Sequence, residues 1–135
     1  MKWFARLTRH ARQLQKHGHP TILAGDYNVA PTGLDIYPTK SWAKDALVQP
    51  APRQAFAALI AHGWTDAIRD LYGEDRVYSF WTYWSERYEK DHGLRLDHLL
   101  LSKALPDRLI ECGIDRTVRG EMGASDHAPV WIKLR

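Results

Sequence analysis

The sequence has 135 residues, 44% apolar and 26% charged, with a formal net charge of +3. That profile excludes an intrinsically disordered chain and leaves enough apolar side chain for one core. The single cysteine, Cys112, excludes an internal disulfide and fits a reducing compartment as an inert buried thiol.

Charge is spread unevenly. Five of the 19 basic side chains, Lys2, Arg6, Arg9, Arg12 and Lys16, lie in residues 1–25 with no acid among them, and the rest of the chain holds 14 basic against 16 acidic groups. The excess reads either as a phosphate-facing stripe or as the solvated face of a helix. The opening "MKWFARLTRHARQLQKHG" contains no apolar run, so it is read as neither a secretory signal nor a membrane span. The cytoplasm is then the expected compartment. No linker, repeat or low-complexity segment divides residues 1–135, and no internal boundary is expected.

Trp3, Phe4, Leu7, Ala11 and Leu14 recur at helical spacing ahead of Gly18, predicting an amphipathic helix over 2–17. Thr21 to Ala24 is a short unalternating apolar run, as in a strand covered on both faces, and Gly25 turns the chain at its end. Asp26 and Asn28 would then sit on a loop at a strand's C-terminal end. Residues 31–52 hold four of the seven prolines and read as a long ordered loop. "RQAFAALIAH" (53–62) predicts a second helix and "WTDAIRDLYG" a short third. From residue 77 the pattern turns to strands: "VYSFWTYW", "LRLDHLLLS", "RLIECGIDRTV" and "PVWIKL". Helices alternating with strands early, and strands clustering late, predict a layered α/β fold.

Three acidic sites fall at strand ends or within strands: Asp26 in "AGDYN", Asp97 in "LRLDHLL", and Asp126 with His127 in "SDHAPV". An Asp after a Gly is ordinarily a turn or capping residue, so Asp26 alone decides nothing. Asp97 differs because Leu94, Leu96, Leu99, Leu100 and Leu101 surround it, and a carboxylate in a buried strand is costly unless paired or opened to a cleft. His127 is its natural partner: a carboxylate fixes an imidazole's tautomer and stabilises its protonated form. Asp26 and Asp126 would add oxygens for a hard divalent cation and a water, and Asn28 a neutral donor for a phosphate oxygen. The set points to phosphate-ester hydrolysis with Mg²⁺. His98 points away from Asp97's face by strand alternation and is read as structural. His10, His17, His19, His62 and His92 read as surface residues.

"LAGDYNVAP", "YSFWTYW", "GLRLDHLLLS" and "SDHAPVWIKL", in this order, resemble the exonuclease III type of apurinic/apyrimidinic endonuclease, within the endonuclease/exonuclease/phosphatase superfamily. The resemblance implies part of a four-layer α/β/β/α sandwich, here mainly one sheet with flanking helices. It gives Asp26 the role of aligning or deprotonating the attacking water and Asn28 that of binding the scissile phosphate. Asp97 is implied to pair with the catalytic His127, and Asp126 to stand near the metal, Mg²⁺ or Mn²⁺ in its place. Phe80, Leu94 and Leu96 match positions lining the apolar pocket for a flipped abasic sugar; read from the residues alone they are equally well core. The implied partner is double-stranded DNA.

The chain departs from the family at its front. Full-length members carry an Asn, the principal metal-binding Glu and a Tyr in a first half, and residues 1–25 contain no Asp, Glu, Asn or Tyr. Residues 1–135 therefore resemble a C-terminal portion alone, expected to be weakly active or inactive and to self-associate or take up the missing half. Two other readings remain: a phosphatase or phosphodiesterase acting on small molecules or lipids, and a non-catalytic DNA-binding remnant using the basic first helix.

Overall fold

The structure, a computed structural model, describes residues 1–135. Helix α1 (Lys2–His17) turns Phe4 and Ala11 into the core and leaves the five basic side chains exposed. It ends at Gly18, whose left-handed φ of 72° would cost a residue with a Cβ roughly 1–2 kcal/mol. No helix is long and apolar enough to cross a membrane. Strand β1 (Ile22–Asp26) follows, and here the expected two-sided cover is missing: Ala24, Gly25 and Asp26 are exposed. The strand's one ladder partner, β3, lies on one side, so β1 is the edge of its sheet.

The proline-rich loop folds around two 3-10 turns, Gly33–Asp35 and Ala46–Val48, each opened by a side chain that caps it, Thr32 and Asp45. Helix α2 (Pro50–Ala61) starts three residues earlier than the sequence suggested. Pro50 occupies its first turn, where a missing N–H costs nothing. The two-residue strand β2 (Thr65–Asp66) leads into α3 (Ala67–Tyr72), capped by Asp66.

Residues 77–84 correct the sequence reading. "VYSFWTYW" makes no strand; Phe80 alone forms isolated bridges, to Leu94 and to His127. Its aromatic rings serve packing instead of a ladder, with Tyr78 and Trp81 buried against Tyr37 and Ala128. The turn closes over Gly93, where a Cβ would lie 2.6 Å from Trp81 Nε1 and 2.8 Å from the Phe80 carbonyl oxygen. Then come β3 (Asp97–Leu101), β4 (Leu109–Ile114), the four-residue helix α4 (Arg116–Arg119), which the sequence did not signal, and β5 (Val130–Leu134).

β3 is the centre of a three-stranded antiparallel sheet ordered β1-β3-β2, and β4 and β5 form a second ladder. α1 and α2 cover one core through Phe4, Ala11, Phe56 and Leu59 against Trp64 and Leu100. α3 covers another through Ala67 and Ile68 against Leu99, Leu101 and Cys112. Burial pushes the Cys112 thiol up to about 11, which makes it inert at neutral pH.

A charged knot sits inside this frame. Arg95 Nε donates to Asp35 Oδ1 at 2.7 Å, and its two terminal nitrogens clasp Asp66 at 2.7 and 2.9 Å. Arg69 adds a second cation on Asp35 at 2.6 Å. Burial alone would raise the Asp35 pKa, but Arg95 and Arg69 outweigh it and hold the carboxyl below its ordinary value. Asp35 is 0% and Arg95 1% exposed, so neither charge is tolerable without its partners in the knot.

Candidate active site

β1 and β3 pair in a register that sets Asp26 against Asp97, so two carboxylates meet at one end of the sheet. Ser79, fully buried, accepts the N–H groups of both Leu96 and Asp97 at 3.0 and 3.1 Å and fixes where β3 begins. The segment after β4 brings in the imidazole. Ala128 N–H donates to the Ser79 carbonyl, Trp81 N–H to the Asp126 carbonyl, and Phe80 bridges His127. His127 thus arrives tied to the aromatic segment on either side.

His127 Nδ1–H donates to Asp97 Oδ2 at 2.8 Å. Its other ring nitrogen, Nε2, lies 3.8 Å from Asp26 Oδ2 and 4.0 Å from Asp126 Oδ1. Asp97 is the most enclosed of the three acids, with 18% of its side chain exposed against 35% for Asp26 and 37% for Asp126. The bond to Asp97 raises the pKa of His127; burial opposes this, and the nearby charges of Asp97, Asp26 and Asp126 raise it further. The Asp26 pKa is raised too, chiefly by burial and also by repulsion from Asp97, against a backbone hydrogen bond that lowers it. That bond is Asn28 N–H to Asp26 Oδ1 at 2.8 Å. Asn28 is exposed and sits in the left-handed region, φ 49°. Such an arrangement can hold an anion with an imidazolium and an amide while a carboxylate of raised basicity takes a proton.

The structure brings Asp26, Asn28, Asp97, Asp126 and His127 to one corner. Phe80 joins them, its ring centroid 5.1 Å from that of His127. Leu94 and Leu96 do not open to the corner: they are 0% and 1% exposed and close on Ala30. His98 lies on the other face, buried beside Tyr27 and Phe56. Ser79 and Arg95 were missed by the sequence reading. Arg95 could have been found by the reasoning that singled out Asp97, a charge inside an apolar run; for Ser79 the sequence carries no signal.

Asp26, Asp97 and His127 each offer an atom within 4.8 Å of the others, a grouping able to hold a metal ion. Asp97 is already committed to His127 through its Oδ2. Asp26 and the His127 Nε2 remain, with Asp126 beside them, so the donors are two carboxylates and a nitrogen, whereas Mg²⁺ demands near-octahedral oxygen donors. By themselves the residues present do not fit a firmly held Mg²⁺.

Comparison with known proteins places these features. The chain is 30% identical over 142 residues to exodeoxyribonuclease III of Haemophilus influenzae, covering 99% of this chain and 53% of that protein. It is 38% identical over 116 residues to the DNA repair nuclease APEX1 of Danio rerio, covering 85% and 36%. Among solved structures, the 3′ phosphatase NExo from Neisseria bound to product DNA hairpin superposes with a TM-score of 0.94 at 31% identity, over 99% of this chain and 52% of that one. An AP endonuclease from Archaeoglobus fulgidus gives 0.91 at 25%, over 98% and 52%. The chain therefore spans about half the length of these relatives or less. With residues 1–127 matching the family and nucleases of the exonuclease III type among its relatives, this chain belongs to the endonuclease/exonuclease/phosphatase family.

Proposed function

We propose that this chain is the C-terminal portion of a Mg²⁺-dependent DNA-repair nuclease and supplies the phosphate-facing side of its active site. The observation carrying this reading is the Asp97–His127 pair, with Asp26 across the free ring nitrogen. The substrate is double-stranded DNA containing abasic sites, with 3′-terminal phosphates as a second class, since the similar Neisseria 3′ phosphatase, bound to product DNA, superposes with a TM-score of 0.94.

Each residue has a part. Asp97 holds the His127 Nδ1 proton, so Nε2 faces the substrate, and the raised pKa favours an imidazolium there. That cation bonds a non-bridging phosphate oxygen and stabilises the charge that develops as water adds to phosphorus. Asp26 orients the water and accepts its proton, and the Asn28 amide donates to a second phosphate oxygen. Phe80 forms the apolar wall beside the sugar, while Leu94 and Leu96 back that wall from within. Asp126 would contribute an oxygen to a metal whose remaining oxygens would have to come from outside residues 1–135. Bound there, Mg²⁺ supplies charge neutralisation.

The test is cleavage of an abasic-site duplex in Mg²⁺ by the 135-residue chain, alone and with the separately made N-terminal half of the H. influenzae relative. Alone it stays near background; together they cleave, and Asp26→Asn or His127→Asn lowers the rate by about 10²–10⁴-fold. Cleavage by the chain alone at the rate of a full-length relative would overturn the reading, as would preference for an inositol phosphate or a lipid headgroup. Binding of duplex that survives loss of Asp26 and His127 but vanishes with Arg6, Arg9 and Arg12 would make it a DNA-binding remnant instead.

A further inference from the structure

The turn after β1 carries Asp26 and Asn28, and within it Asp26 Oδ1 accepts the Asn28 N–H at 2.8 Å. Asn28 has φ 49°, a left-handed conformation that Asn adopts more readily than most residues with a Cβ and that its surroundings can tip either way. Tyr27 N–H donates to the Leu96 carbonyl at 3.0 Å and Ala30 N–H to the Leu47 carbonyl at 2.8 Å, which pins both ends. Between them Val29 has no exposed surface, and its carbonyl oxygen lies 2.9 Å from Nε2 of His98.

We propose that His98 is a positioning residue: its Nε2–H, acting through the Val29 carbonyl, holds Asn28 in the left-handed turn that aims its amide at the substrate phosphate. Arg95 sets the tautomer this requires. A guanidinium can only donate, so Arg95 Nη1, 3.2 Å from His98 Nδ1, makes that nitrogen the acceptor and leaves the proton on Nε2. Asp35 and Asp66 in turn fix Arg95. The ring is wedged edge-on to Tyr27 at 5.3 Å and tilted against Phe56 at 4.7 Å. Burial, aided by Arg95, pushes the His98 pKa down to about 4, in keeping with a neutral ring. Deleting the donor strands a buried carbonyl. With the Ala30 N–H still held by Leu47, that cost is relieved by a shift of the Val29 carbonyl toward another donor, which displaces the turn before it and Asn28 with it.

The aim at a phosphate rests on the proposed function; the hold on the Asn28 backbone does not. NMR on the 135-residue chain separates the two. His98→Gln keeps one N–H at similar reach, and His98→Phe keeps a ring without a donor. Asn28 backbone shifts and couplings report its conformation, His98 ring nitrogens report the tautomer, and the Asn28 side-chain amide reports titration with inorganic phosphate. We expect the Nε2–H tautomer in the native chain, and a left-handed Asn28 there and in His98→Gln but not in His98→Phe. Phosphate affinity should fall about tenfold with Phe and return to within about twofold with Gln. A folded His98→Phe chain with Asn28 left-handed and phosphate affinity unchanged would overturn the proposal, whatever its melting temperature. If that variant does not fold, an Nδ1–H tautomer in the native chain overturns it and an Nε2–H tautomer with Gln rescue upholds it. An Asn28 that moves on substitution while its amide ignores phosphate upholds the hold on the turn and counts against the phosphate reading instead.

Discussion

Asp97 and His98 are neighbours in sequence, yet each belongs to a different cluster of acids and imidazole. Asp97 faces His127, Asp26 and Asp126 at an open corner, where three carboxylates surround one ring and no arginine or lysine balances them. His98 faces Arg95, which is clasped by Asp35 and Asp66 in the interior. The first cluster raises its histidine's pKa and the second lowers it, to about 4. Exposure and charge balance, not residue type, separate a histidine able to handle protons near neutral pH from one that serves as a fixed donor.

The comparison breaks most readily at Arg95. Arg95→Leu leaves Asp66 without its cation and Asp35 with Arg69 alone, and should cost about 3–5 kcal/mol in urea unfolding. A loss below about 1 kcal/mol would mean that water reaches the interior cluster and that the two are not opposites. Ser79→Ala strands the buried amides of Leu96 and Asp97 and should cost about 1–3 kcal/mol, displacing the His127 ring signal with it. An unmoved His127 signal would show that β3 is positioned without Ser79.

Asp97→Asn acts on protons more than on stability. The His127 pKa, raised chiefly by that hydrogen bond, should fall toward its ordinary 6.5, read by NMR titration. Because the folded value lies above the unfolded one, the pair's stabilisation is fully present below about 6.5 and is lost as pH rises through the folded value. The native chain should therefore lose stability across that window, and the Asn variant should lose less. An unchanged His127 pKa would assign the imidazolium to Asp26 and Asp126. The smallest effect is expected at the exposed Glu86–Lys90 pair, 3.5 Å apart: Lys90→Ala should cost under about 0.5 kcal/mol. A larger loss would mean that surface charge counts for more here than either cluster suggests.

What the sequence made legible follows range. Helix α1 was readable because Phe4, Leu7, Ala11 and Leu14 declare a period among near neighbours. The corner was readable because Asp97 could not sit among leucines without a partner and the last motif offered one. The segment 77–84 misled because aromatic residues that suit a strand also suit a packed turn, and the choice was made by Tyr37, Gly93 and Ala128 from elsewhere in the chain. Asp35 and Arg95 are 60 residues apart, and no periodicity announces a salt bridge at that distance. The exposure of β1 was hidden for a related reason: an apolar run records the cover a strand is suited to, and residues 1–135 supply it on one side.

Phe80 has a consequence for how the corner fails. Its backbone bridges Leu94 on one side and His127 on the other, while Ala128 and Trp81 donate across the same seam. The loop bearing His127 swings away only by breaking the Ala128–Ser79 and Trp81–Asp126 bonds beside the core edge at Leu94, so the chemistry has no loose lid. In hydrogen exchange the amides of Trp81, Leu94 and Ala128 should open as one unit with a common free energy, and His127 should leave Asp97 in that same event. The corner is then disarmed by cooperative opening and not by local fraying, and the lifetime of its geometry is set by the packing of Tyr78 and Trp81 behind it.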